Sequence, residues 1–186
     1  MSDRRPHLLA LSIVLCLAGF ARPNGQNVED AHATRPLRTL WQAIDALTHQ
    51  LPFSKANVER LLSVRLSETK EGGNDVFQIY KSDPVTLPDG VVIENVDLRI
   101  RRVGPDPGFL VLDTGGRCIK IDDVRTHYAS LSVTDRPRGR SLDEVTSYTA
   151  SLPWGRLSFG FKERNRQCLA SVAFDPRADE TQAGSK

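Results

Sequence analysis

Asp113-Thr114-Gly115, reached through the apolar run 109–112, is the stretch of this chain whose residues are best placed to do chemistry. A carboxylate there can activate water when a second carboxylate shares its proton, because two like charges in contact cannot both ionise. The chain holds no second Asp-[Thr/Ser]-Gly, so such a pair would need two copies of it. Asp175 ends a similar apolar strand without the following Thr-Gly, and this favours a strand-end aspartate capping a turn at Gly115-Gly116. His32 falls in a polar leader, His49 near the end of an amphipathic helix, and His127 beside Tyr128 on a short helix. No HExxH, GxSxG or phosphate-loop pattern occurs, and Gly139-Arg140-Ser141 lacks the strand-turn-helix setting of a nucleophile elbow. Neither a metal site nor a cofactor is expected.

The run Phe-Leu-Val-Leu-Asp-Thr-Gly resembles the active-site strand of aspartic peptidases. That resemblance implies a peptidase working through Asp113 of two paired chains, as in the retroviral enzymes. It stands as the alternative to the favoured expectation, a chain without enzymatic activity.

Residues 1–21 read as a secretory signal peptide. Arg4 and Arg5 make a basic start, 8–17 an apolar run, and Gly19-Phe20-Ala21 a small-x-small cleavage site. The run is too short to span a bilayer, so no membrane span is expected. Cys16 follows Leu15 and not the small residue that normally precedes a lipidated cysteine, which favours a soluble exported protein, periplasmic or secreted. Beyond that segment only Cys118 and Cys168 remain, and an even pair in an oxidising compartment predicts a disulfide. Closing a loop of that length stabilises by roughly 4 kcal/mol in the chain-entropy model.

The elements that must position these residues follow from periodicity. Residues 22–33 are polar and read as a disordered leader. Over 34–51, Leu37, Leu40, Trp41, Ile44, Leu47 and Leu51 recur at helical spacing, and Pro52 ends the helix. Ser54 caps a second helix, read as running to Leu66, with Val58, Leu61 and Leu62 inward. Residues 76–81 form a strand, Leu87-Pro88-Asp89-Gly90 a β-turn, and Val96, Leu98 and Ile100 alternate with polar residues. A third helix over 121–128 carries Asp122 and Asp123 in its first turn, where the helix dipole favours them. Leu157, Phe159 and Phe161 alternate, 168–174 closes the fold, and 176–186 reads as a flexible tail.

Landmarks recur at near-constant displacement: Val58 and Val124 by 66, Leu87-Pro88-Asp89-Gly90 and Leu152-Pro153-Trp154-Gly155 by 65, Gly72 and Gly139 by 67, Asp113 and Asp175 by 62. Such self-similarity marks a duplicated unit. The expected architecture is α+β: two tandem helix-plus-antiparallel-meander repeats, 52–116 and 117–175, forming one sheet with helices packed on one face. That layout resembles the β-lactamase-inhibitor-protein family, whose two repeats make a sheet that grips an enzyme. It also resembles the small BamE-like envelope lipoproteins, which carry one such unit.

Length and composition suit this reading. The chain has 186 residues, 39% hydrophobic and 26% charged, enough for one core-forming domain. A net charge of +2 makes no claim on nucleic acid. Arg99, Arg101 and Arg102, and then Arg136, Arg138 and Arg140, form two small basic clusters suited to an acidic protein partner. Asp89 and Trp154 hold the third places of the two turns and are expected on the open side of the sheet, with the 136–140 loop mobile beside them. The expected function is that of an exported protein-binding module, an inhibitor or immunity protein for an envelope-active enzyme, with an envelope assembly or structural role as a further alternative.

Overall fold

The computed structural model describes residues 37–70 and 75–176. The expected signal peptide and leader, the expected start of the first helix at Thr34 and Pro36, Gly72-Gly73 and nearly all of the expected tail lie outside them.

Helix α1 (Leu40–Thr48) forms because Leu40, Ala43, Ile44 and Leu47 share one stripe, and all four are buried. Thr39 starts it from an extended conformation, its hydroxyl accepting from Gln42 N at 3.2 Å. The helix is therefore shorter at both ends than the expected 34–51. Helix α2 (Lys55–Leu62) is capped by Ser54 as expected, with Val58, Leu61 and Leu62 buried. It stops four residues short of Leu66 because Ser63 turns left-handed at φ 55°, which breaks the helix. Leu66 then opens a strand, its N–H donating to Glu59 Oε1 at 2.8 Å.

The strands are β1 (Leu66–Thr69), β2 (Phe77–Ser82), β3 (Val85–Thr86), β4 (Val91–Arg101), β5 (Phe109–Gly116), β6 (Ser132–Asp135), β7 (Val145–Leu152), β8 (Gly155–Lys162) and β9 (Leu169–Asp175). Helix α3 (Ile121–His127) lies between β5 and β6, and a 3-10 turn (Glu163–Asn165) between β8 and β9. The strands make one antiparallel sheet in the order β1-β2-β4-β5-β9-β8-β7-β6, with β3 also on β4. The α+β class with an antiparallel sheet stands as expected. The turn Leu87-Pro88-Asp89-Gly90 leads into β4, and Leu152-Pro153-Trp154-Gly155 turns β7 into β8.

Cross-strand register sorts the side chains into two faces, since residues directly opposite share one. One face carries the rows Val96-Leu112-Val172-Phe159 and Leu98-Leu110-Phe174-Leu157, all fully buried. The helices cover it. Trp41 of α1 lies 6.4 Å from Phe159 between ring centroids, Tyr128 at the end of α3 lies 5.2 Å from Phe159, and Phe53 before α2 meets Phe174 edge-on at 5.9 Å. Trp41 also stacks on His127 at 4.0 Å, which ties α1 to α3.

The disulfide Cys118–Cys168 is present. It joins the chain leaving β5 to the chain entering β9, the two central strands, and Leu169 N donates to Ile119 O at 2.8 Å beside it. No helix among the described residues is long and apolar enough to cross a membrane.

Candidate functional site

The other sheet face carries no helix among the described residues. Its rows run Asn95-Asp113-Ser171-Gly160-Ser147 and Asp97-Val111-Ala173-Ser158-Thr149. From β9 through β7 these are small or hydroxyl-bearing residues, so this part of the face is a shallow polar trough. Its hydroxyls bind one another: Thr134 and Thr149 are 2.7 Å apart, and Thr149 and Ser158 are 2.8 Å apart. Larger side chains stand at the β2–β5 flank. Arg99 lies over the Phe109 ring at 5.8 Å and Arg101 over Phe77 at 5.6 Å.

The face balances most of its own charge. Arg99 donates to Asp97 through Nε at 2.9 Å and Nη2 at 3.0 Å. Asp97, by that hydrogen bond, holds the Arg99 guanidinium above its ordinary pKa. Arg156 pairs with Asp175 at 2.8 Å.

Asp113 belongs to this face, and its role differs from the turn cap expected. The strand does not end there: β5 runs on through Gly116, with Gly115 opposite Val92 and Gly116 opposite Val91. Asp113 therefore lies within the ladder between Asn95 and Ser171, neither of them a carboxylate. Gly115 leaves room for the Glu94 side chain, which a Cβ at this position would overlap. Glu94 reaches there because β4 bulges between Ile93 and Asn95.

Trp154 and Asp89 are both placed differently from the expected open side. The Trp154 ring stacks on Phe174 at 6.4 Å and 23°, on the helix side of the sheet. Asp89 accepts from Leu40 N through Oδ2 at 3.1 Å and from Val91 N through Oδ1 at 3.1 Å, so it fastens its turn to the start of α1. Arg136, Arg138 and Arg140 lie together on the loop between β6 and β7, around a cavity of about 320 Å³. That loop is pinned and not left free. Glu144 Oε2 accepts from the backbone N–H groups of Arg138 (2.7 Å), Gly139 (2.9 Å) and Arg140 (3.3 Å).

A second cavity, of about 300 Å³, opens at the disulfide end of the helix-free face. Gly115, Gly116, Ala170 and the disulfide line it, with Glu94, Lys162, Arg117 and Arg164 as its charges. Sequence reasoning missed it. Lys162 and Glu94 are far apart in the chain and belong to no motif. Among the described residues, no three or more His, Cys, Asp or Glu side chains converge as a metal-holding group. No protein family, curated protein or solved structure matches the chain.

Proposed function

We propose that this chain is an exported protein-binding module, an inhibitor or immunity protein for an envelope-active enzyme, which docks through the helix-free face of its sheet. The observation that carries the reading is the contrast between the two faces. One is sealed by three helices; the other offers β4, β5, β9, β8 and β7 side by side with small side chains at the centre. A broad, shallow surface without bulky side chains at its middle suits a protruding partner surface. Export rests on residues 1–21 read as a signal peptide and is supported by the disulfide, a bond of oxidising compartments.

We further read the fold as two copies of one unit. Apart from the two-residue β3, which has no counterpart in the second run, α2-β1-β2-β4-β5 and α3-β6-β7-β8-β9 follow the same order, and the closing strands β5 and β9 pair at the centre of the sheet. Each unit then extends outward from that junction, and the two Leu-Pro-x-Gly turns each precede the strand beside the closing one. This supports the likeness in layout to the tandem-repeat inhibitor family, and fold analogy alone supplies the word inhibitor.

The test is a photo-reactive residue placed at Ala173, on the open face, or at Ala56, exposed on α2. Irradiated in the envelope of the source cell, the Ala173 position is expected to capture one defined protein and the Ala56 position none. Capture from Ala56 alone would place the working surface on the helices.

A further inference from the structure

The helix-free face neutralises its charges along most of its length, but not at the disulfide end. Arg99 has Asp97, Arg101 has Asp106 and Arg156 has Asp175. Around the cavity, Arg164 pairs with Asp143, and Arg117 donates to the Asp89 carbonyl at 3.4 Å. Lys162, half-buried on the cavity wall, belongs to no ion pair among the described residues, and neither does Glu94.

We propose that this cavity takes a carboxylate side chain projecting from the partner protein, with the Lys162 ammonium as its counter-charge. The proposal rests on the docking reading above and names the chemistry of one contact within it.

Three features favour a carboxylate. The cavity is open because Gly115, Gly116 and Ala170 add little or no bulk to its wall; the Glu94 side chain lies over Gly115, so an inserted group enters beside it. Its walls are fixed by the Cys118–Cys168 bond and by Thr114 Oγ1 donating to Leu169 O at 3.2 Å, so little ordering is left for binding to impose. With Arg164 taken up by Asp143, its remaining charges are Lys162 and Arg117 against Glu94, a net positive charge that attracts an acid and repels a base. Lys162 can lay its methylene stem along the sheet and keep its ammonium at the opening. Glu94 opposes the incoming carboxylate, so the two residues act with opposite sign.

That opposition makes the proposal testable before any partner is known. The full-length oxidised protein is titrated with acetyl-Ala-Glu-Ala-amide, or with the Gln peptide of the same shape, while backbone amides are followed by NMR. The Glu peptide is expected to move the amides of Gly115, Gly116 and Ala170 with a Kd on the order of tens of millimolar, because one exposed ion pair contributes at most about 1 kcal/mol. The Gln peptide should leave them in place. Lys162→Met should weaken the Glu peptide by about threefold to fivefold, and Glu94→Gln should tighten it by a similar factor. Equal shifts from both peptides, unchanged binding to Lys162→Met, or weaker binding to Glu94→Gln each overturns the proposal. Should Lys162→Met misfold, the sign of the Glu94→Gln effect decides. Capture from Ala173 without carboxylate binding defeats the cavity alone; carboxylate binding without capture defeats the docking reading.

Discussion

Asn95 Nδ2 donates to Asp113 Oδ2 at 3.0 Å across the β4–β5 pair, on the face that carries no helix among the described residues. The carboxylate with the most enzyme-like sequence context is thus held by an amide within a ladder. Asp113→Asn keeps an acceptor in place and loses only the charge of the bond. Thermal melts should show a loss of about 1 kcal/mol or less. A wild-type proteolytic activity that is blocked by pepstatin and absent from this variant would return Asp113 to catalysis.

The disulfide closes a sequence separation of 50 residues at the centre of the sheet. Cys168→Ser should lower stability by about 4 kcal/mol if the chain-entropy account holds. A reductant added to the wild type should lower its unfolding free energy by a similar amount. Reaction of Cys118 and Cys168 with a thiol reagent in the untreated native protein would contradict the bond.

Trp154 stacks on the fully buried Phe174 from the helix side. Its truncation therefore belongs to the core. Trp154→Ala should cost about 2 kcal/mol, below the 3–5 kcal/mol of a fully enclosed aromatic because this ring is half-buried. Denaturant unfolding measures this directly, and an unchanged midpoint would mean that the ring has no packing role.

Glu59 accepts from Lys55 Nζ at 2.6 Å and from Leu66 N at 2.8 Å, and these bonds hold its pKa below the ordinary glutamate value. A depressed folded-state pKa stabilises above the unfolded value and is lost as pH falls through the folded one. The α2–β1 junction should accordingly loosen on acidification below the ordinary glutamate range. Hydrogen exchange at the Leu66 amide should accelerate there in the wild type. In Glu59→Gln it should lose that dependence, and a pH response identical in both proteins would contradict the assignment.

Several elements could be read in advance because their patterns admit one answer. Ser54 ahead of Val58, Leu61 and Leu62 announces α2, and Leu157, Phe159 and Phe161 alternate against small polar residues to announce β8. The disulfide followed from an even cysteine count once 1–21 is read as a signal peptide. Strand β1 was hidden because Leu66 continues the helical spacing from Leu62, and the left-handed Ser63 that ends the helix carries no sequence mark. Strand β7 reads Val-Thr-Ser-Tyr-Thr-Ala-Ser-Leu, with too little apolar contrast between its faces, and β6 is exposed at every residue. Gly115-Gly116 look like a turn but continue β5, because partners on β4 decide the strand's end. The cavity arises from the same non-local pairing, which brings the Lys162 end of β8 and the Glu94 bulge of β4 to the same end of the central strands.

The most direct test of the docking face is the affinity of the captured partner for two charged variants. Ala173 lies at the centre of the open face between Val111 and Ser158, and Ala56 lies exposed on α2. Placing an arginine at the middle of a packed interface should cost about 3 kcal/mol, a loss of a hundredfold or more in Kd. Titration calorimetry with the purified partner should show that loss for Ala173→Arg and wild-type affinity for Ala56→Arg, with both variants melting as the wild type does. Full affinity in Ala173→Arg, or a loss confined to Ala56→Arg, would contradict a partner seated on the helix-free face.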